Sequence, residues 1–407
     1  MKLYFDHNAT TPVAPEVLEP MLPFLREEYG NASSIHRFGQ RARAAVEQAR
    51  AQLASLIGCE AAEIIFTSGG TESDNLAIQG AVRASALPRK HVITSAIEHP
   101  AVLTTCHAME REGVAVTYLP VDSQGRVDPE QVRRELRPET VLVTIMHANN
   151  EIGTVEPLAA IASIARQAGV LLHTDAVQST GKIPVDVKRL GVDLLSLSAH
   201  KFYGPKGIGA LFIRKGLTLS PLFFGGHNMG EPRPGTENVA SIVGLGVAAQ
   251  LAASNLETEA RRLSALRDRL EKGILERVSE AGINGPATGM QGGKFLRVPN
   301  TSNLYFDYIE GESLVIALDL QGIACSTGAA CSSGAIEPSH VLTAMGVPAL
   351  RARGSLRLSL GRQNTEEEVE HLLGTIPAVV ERLRALSPQV PDEKKAPAEN
   401  AVPARKG

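Results

Sequence analysis

Through the first two-thirds of the chain, short apolar, β-branched runs alternate with longer stretches whose apolar positions recur at helical spacing. EIIFTSG (63–69), KHVITSAIEH (90–99), VAVTYLP (114–120), TVLVTIMHAN (140–149), GVLLHTDAV (169–177), VDLLSLSAHK (192–201) and GIGALFIR (207–214) read as strands. Helical patterns lie between several of them, among them 41–57 and 157–169. Strands buried on both faces and separated by helices predict an α/β protein with a mainly parallel sheet. In such sheets ligands collect at the loops after strand C-termini. The polar clusters SGGTESDN, EHP, HANNEIG, DAVQS and SAHK all fall there, each directly after an apolar run.

A long charged helical pattern over roughly 254–281 marks a crossing into a second unit. Beyond it, TSNLYFDYI, ESLVIALDLQG, SLRLSLGR and the helix TEEEVEHLLGTIPAVVERLRAL read as a smaller α+β domain. The expected division is 12–255 for the large domain, 1–11 with 256–387 for the small one, and a tail at 388–407. The tail is rich in Pro, Lys and Glu with little apolar content, so disorder is expected there. No internal repeat is visible.

Bulk properties narrow the function classes. With 407 residues the chain can bury a large core, and 43% hydrophobic with 21% charged residues is ordinary for an α/β enzyme. A formal charge of -3 supplies no basic field for nucleic acid or an anionic membrane. The opening MKLYFDHNATTP has no secretory pattern, and the apolar runs look too short and too glycine-broken to span a bilayer. Four cysteines, at 59, 106, 325 and 331, make no disulfide framework. Free thiols in a reducing cytoplasm are the expectation.

Three motifs carry candidate chemistry. LSLSAHKFYGPKGIGAL sets Lys201 after an apolar strand, with Ser198 and His200 as donors beside it. A lone lysine there is more often a solvated surface residue; an imine-forming one must be partly desolvated. FTSGGTESDNLAI places Gly69, Gly70 and Thr71 between a strand and a helix, where free amides make a phosphate cradle. An ordinary capped turn fits that motif about equally well. In LLHTDAVQS, Asp175 ends an apolar strand, where a carboxylate is costly without a positive partner such as a protonated pyridine nitrogen. The three together describe a pyridoxal 5'-phosphate (PLP) site.

On these residues the chain resembles the cysteine desulfurases, of the group with the long catalytic loop, within the class V aminotransferase family of fold-type I PLP enzymes. Similar stretches run from DHNATTP through NASSIHRFG, SGGTESDNLAI, EHPAV, MHANNEIGT, HTDAVQSTGK, SAHKFYGPKGIGAL and PGTEN to GAACSSGAIEPSHVL and SLRLSLGR. The resemblance implies a large domain built on a seven-stranded sheet. It implies that Lys201 holds PLP as a Schiff base and shuttles the substrate's α-proton, that His99 stacks on the ring, and that Asp175 pairs with its nitrogen. Gln178 would bond the ring hydroxyl, Asn150 would lie near ring and substrate, and Gly70, Thr71, Ser198 and His200 would hold the phosphate. Thr236 would reach the phosphate site of the other copy in a homodimer. Arg357, helped by Asn31, would clamp the substrate carboxylate, although an arginine in an alternating LRLSL strand is more often a solvent-facing charge.

In the same resemblance Cys331 is the nucleophile. It would take the sulfur of L-cysteine as a persulfide, leave L-alanine, and pass the sulfur to an acceptor protein for iron–sulfur assembly or tRNA thiolation. The Gly/Ser/Ala composition of 326–336 suits a loop that serves two positions. Cys331 as a transient [2Fe–2S] ligand stays open. Cys325 departs from the family pattern and is expected to be a small, partly buried side chain, with a resolving thiol as the lesser reading; Cys59 and Cys106 are expected in the core. GGHNMGEPRPGT (225–236) also departs from the family's more arginine-rich version, leaving Arg233 unassigned. His36, His91, His107 and His147 receive no role. The alternatives are a selenocysteine lyase or other class V enzyme, which has less need of a loop cysteine, and a non-catalytic partner protein, which would not need Lys201, His99, Asp175 and Cys331 together.

Overall fold

The structure is a computed structural model that describes residues 2–225, 233–327, 338–389 and 391. Its centre is a seven-stranded sheet. In spatial order the strands are Ile64–Thr67, Gly209–Ile213, Leu194–Ser198, Leu171–Asp175, Thr140–Thr144, His91–Ser95 and Ala115–Leu119. All neighbouring pairs are parallel except the two made by Gly209–Ile213, which runs antiparallel to both neighbours. Four of the seven are buried along their whole length, as near-continuous apolar runs require. Apolar cores lie on both faces, one with Val46, Leu53, Leu172 and Leu197 and the other with Leu76, Val102, Leu142 and Leu211. Both α/β character and strand positions follow the sequence reading.

The helix expected over 254–281 begins much earlier. One continuous helix spans Val239–Arg277. Residues 239–253 are small and apolar with no charged face, so nothing in their pattern announces an amphipathic helix. They are buried instead: Ile242, Leu245, Ala248 and Ala249 join the large-domain core. Gly246 makes this approach possible, since a Cβ there would fall 2.5 Å from Ala49 Cα. Backbone cannot step aside as a flexible side chain can, so Gly246→Ala costs roughly 1–3 kcal/mol by overpacking. The second half of the same helix carries Leu263, Leu266, Leu270 and Ile274 into the other core. This helix is long and apolar enough to cross a membrane by length and composition, contrary to the sequence expectation, but half of its most apolar window is buried inside the protein.

The second core is built on an antiparallel sheet in the order Ser355–Ser359, Thr301–Phe306, Ala281–Ile283. Gly311–Asp319 and Glu366–Leu386 pack on it, the latter opened by a reciprocal Thr365/Glu368 capping box. The N-terminal strand Leu3–Tyr4 pairs with Ile323–Ala324. Residues 5–11 then run from this small sheet to the C-terminal ends of the large one, crossing the junction where the site lies.

Candidate active site

Asp175 and Ser198 end adjacent parallel strands, and Gly69 precedes the helix Gly70–Ala84. Gly69 sits at φ 155°, and a Cβ on Gly209 would fall 2.7 Å from Gly69 Cα, so the turn is built on two close backbones. A Cβ on Gly70 would fall 2.7 Å from Val177 Cγ2. The first amides of the helix have no intrahelical acceptor and point with its positive end into a cleft of about 450 Å³. Thr71, Ser198 and His200 line the same cleft, with Lys206 adding positive charge. The His200 ring lies 3.1 Å from Thr10 Oγ1, and burial, with Lys201, Lys206 and Lys182 nearby, pushes it down to about 4. A neutral imidazole beside unpaired amides suits a phosphate ester.

Lys201 closes the short turn Ala199–Lys201. Its Nζ donates to the carbonyls of Asn8 at 2.6 Å and Ala9 at 2.8 Å. Gln178 Nε2 donates to the same Asn8 carbonyl at 3.0 Å. Asp175 is 5% exposed, and its Oδ1 accepts from the Val177 amide at 2.8 Å. Among the described residues its other oxygen makes no hydrogen bond. Burial raises its carboxyl, opposed by His99, that amide and Lys201. Asp74, also buried, is pushed well above the carboxylate range by burial and by Asp175. A buried carboxylate with an unpaired oxygen and an acidic neighbour favours a cationic partner.

His99 caps the helix Pro100–Arg111, its Nδ1 accepting from the Ala101 amide at 3.1 Å. An amide can only donate, so the ring proton of neutral His99 is on Nε2. Burial lowers its pKa, with Asp175 opposing and Lys201 and His340 assisting, so the neutral form is the one present at neutral pH.

Arg357 is not solvent-facing: it is 3% exposed in the strand Ser355–Ser359. Its Nη2 donates to Asp6 Oδ1 at 2.8 Å, its Nη1 to the Asn150 carbonyl at 3.0 Å, and Nε has no partner among the described residues. Alternation in LRLSL could not reveal this, because the covering residues Asp6 and Asn150 come from far along the chain. Asp6, Asn8 and Lys182 (which donates to Gln178 Oε1 at 2.7 Å) are the site groups that sequence reasoning missed. Their only signal was position inside the DHNATTP and HTDAVQSTGK stretches.

Other expected residues stand apart. Asn31 is exposed and its Oδ1 accepts from Ser33 N–H and Oγ, with no bond to Arg357. Asn150 contributes its carbonyl, which accepts from Asn8 Nδ2 as well as Arg357. Thr236 is exposed and does not line the cleft of its own chain. Nearby Arg233 pairs with Glu72 at 3.0 Å, which gives it a contact the sequence could not assign. Cys331, and with it the iron–sulfur alternative, lies outside the described residues, as do residues 226–232 of GGHNMGEPRPGT and nearly all of the tail. Its flanks are placed, however. Ser326 exchanges backbone hydrogen bonds with Arg357, Ser339 Oγ donates to Glu151 at 2.6 Å, and His340 lies 3.0 Å from the Glu98 carbonyl, next to His99. Cys331 is five residues from Ser326, a reach of about 17 Å at most.

Cys325 is half-buried against the small core, and burial, then Asp6 and Asp319, pushes its thiol up to about 12. Such a thiol is inert at neutral pH. Cys106 is buried in one of the two sheet-face cores, whereas Cys59 is only half-buried against the other. His36 caps the helix Arg37–Ile57, while His91 and His147 bond buried or half-buried hydroxyls, which are structural duties.

A phosphate cradle, an amine on the next turn and a buried, half-satisfied carboxylate fit PLP at three separated points. Comparison with known proteins agrees. Residues 3–372 match the Aminotransferase class-V family, and the chain belongs to that PLP-dependent family. The chain is 50% identical over 387 residues to Cysteine desulfurase IscS of Dictyoglomus turgidum, covering 95% of this chain and 96% of that one. It is 51% identical over 391 residues to Cysteine desulfurase IscS of Methanosarcina thermophila, covering 96% and 95%. A solved NifS-like protein superposes with TM-score 0.86 at 39% identity, covering 94% of this chain and all of the other. Another, titled SspA in complex with cysteine, gives 0.78 at 39% identity, covering 88% and 99%. Within the class-V family, the chain belongs to the cysteine desulfurases.

Proposed function

We propose that this enzyme removes the sulfur of L-cysteine, releasing L-alanine and leaving a persulfide on Cys331. The observation that carries the reading is the meeting of Lys201, His99 and Asp175 at the strand ends with the buried Arg357 guanidinium across the domain junction. Bound PLP supplies an electron sink for charge that develops at the substrate Cα. Asp175 is the group to hold the ring nitrogen cationic, and the Gly70 and Thr71 amides with Ser198 and His200 the groups to hold the phosphate. Lys201 Nζ, positioned by two carbonyls, takes and returns the α-proton. His99 offers an Nε2–H to the reacting face. Arg357 binds the α-carboxylate, exchanging the Asp6 carboxylate for that of the substrate. Cys331 attacks the substrate sulfur as the thiolate: an S–S bond forms, the Cβ–S bond breaks with its electron pair left on carbon, and a proton completes alanine.

The persulfide then supplies an acceptor, and the names of the relatives support iron–sulfur cluster assembly, with tRNA thiolation a second outlet. A homodimer is part of the proposal. Thr236 is exposed away from its own cleft, and Leu25, Tyr29, Ile35 and Phe224 leave large apolar surface exposed. Three free cysteines among the described residues favour a reducing, cytoplasmic setting. The test follows alanine and sulfide released from L-cysteine with a reductant, alongside the visible band of the PLP-loaded protein. Cys331→Ala is expected to keep the band and lose sulfide release, while Cys325→Ala keeps both. Normal turnover by Cys331→Ala, or turnover of L-selenocysteine alone, would replace the reading with a lyase.

A further inference from the structure

Behind Lys201 lies a network that the reaction above does not use. Its hub is Asn8, which is 1% exposed. The Asn8 carbonyl accepts from Lys201 Nζ and Gln178 Nε2. Its Oδ1 accepts from Lys182 Nζ at 2.9 Å and Asn300 Nδ2 at 3.0 Å, and its Nδ2 donates to Thr301 Oγ1 at 2.8 Å. Lys182 Nζ also donates to Gln178 Oε1 at 2.7 Å. A backbone carbonyl can only accept, so the Gln178 end that meets Asn8 is the NH2 and its oxygen faces Lys182.

The charges around Lys182 are unbalanced. No carboxylate pairs with it among the described residues. The titratable groups facing it are Lys201, Arg357, His7 and His200, with Tyr203, Glu259 and Arg362 further along the small cavity that His7, Lys182 and Lys201 share. Asp6 is engaged by Arg357, and Asp175 interacts with Lys201. His7 gives no compensation: among the described residues neither buried ring nitrogen has a partner, and burial with Lys182 nearby pushes it down to about 4, so it is neutral. Burial first, then Lys201 and Arg357, disfavour the Lys182 ammonium, whereas its two oxygen acceptors, Asn8 Oδ1 and Gln178 Oε1, favour it.

We propose that Lys182, held by Asn8 Oδ1 and Gln178 Oε1 while Lys201 meets the backbone carbonyl of the same Asn8, is a positioning residue whose charge disfavours protonation of the Lys201 nitrogen and whose contact with Gln178 Oε1 braces that amide. A cation beside a basic nitrogen disfavours its protonation, and a lysine that must attack PLP and later accept a proton has to be neutral. This inference rests on Lys201 as the PLP-bearing lysine.

The test titrates the visible band of the PLP-loaded protein with pH and, separately, measures the rate at which PLP-free protein takes up PLP against pH. Lys182→Met preserves length and removes the charge. The expected result is an upward shift of the titration midpoint by about one pH unit, a tenfold change in proton affinity, with the uptake profile moving the same way. Asn8→Asp, which sets a carboxylate against the ammonium, is expected to shift both in the same direction, and it serves if Lys182→Met does not fold. Lys182→Arg, which restores the charge, returns the midpoint toward wild type. Superimposable titrations for wild type, Lys182→Met and Asn8→Asp would overturn the proposal. A visible band that survives in Lys201→Ala would instead overturn the assignment of Lys201, so the two failures are distinguishable.

Discussion

The cofactor floor and the substrate clamp face each other across one junction, yet they are built differently. The floor uses strand ends of the parallel sheet: Asp175, Ser198, Lys201 and the Gly69 turn lie at the same edge because parallel strands end there in register. Each group is local to its motif. The clamp is assembled from distant pieces. Arg357 reaches the cleft from an antiparallel strand, is held by Asp6 from the N-terminal segment and by the Asn150 carbonyl, and shares its backbone with Ser326. A site whose halves come from separate cores can change their spacing without dismantling either. In the proposed reaction the labour divides the same way: the floor serves the cofactor, and Arg357 serves the α-carboxylate that every amino acid carries.

The largest expected separation is at Lys201. Lys201→Ala should abolish the covalent visible band and lower turnover by roughly a thousandfold or more, because the imine and the proton carrier are lost together. On the other half, Arg357→Gln should leave the band intact and raise KM for L-cysteine roughly 10–100-fold, the equivalent of one or two charged hydrogen bonds. Arg357→Lys should recover little of this, since an ammonium cannot reproduce the fork. A band lost in Arg357→Gln would mean that the halves are not separable. Asp6→Asn is expected to change KM by only a few-fold, through a less firmly aimed guanidinium.

The smallest effect concerns stability. Burial pushes Glu98 up to about 8, against Ser95 and the Met146 amide, so the folded state keeps a proton that the unfolded chain releases. Its contribution is therefore complete below about pH 4.5 and is lost as pH rises toward 8. Buried His147 and His173, pushed down to about 4 and about 3, act in the opposite direction below pH 6.5. The difference in Tm between Glu98→Gln and wild type isolates the carboxyl: the variant should gain relative stability from pH 5 to pH 8. A constant difference would remove Glu98 as the cause.

The same contrast explains what the sequence made legible. SGG, DAVQS and SAHK announced themselves because each interrupts an apolar strand with chemistry that is costly there. Arg357 did not, since alternation specifies two faces but not which one another domain covers. Asn8 and Lys182 were invisible because their meaning is in bonds made over as many as 351 positions, as between the Asn8 amide and Ser359 Oγ. Likewise, residues 239–253 hid the start of the long helix because a segment without charged residues has no polar face to give the period.

The most direct test of the central claim is mass spectrometry of the peptide containing Cys331 after the PLP-loaded enzyme meets one equivalent of L-cysteine without reductant. The account predicts one added sulfur on Cys331 in wild type and in Cys325→Ala, matched by released alanine, and none in Lys201→Ala. Alanine formed with no sulfur on Cys331, or sulfur found on Cys325 instead, would contradict it.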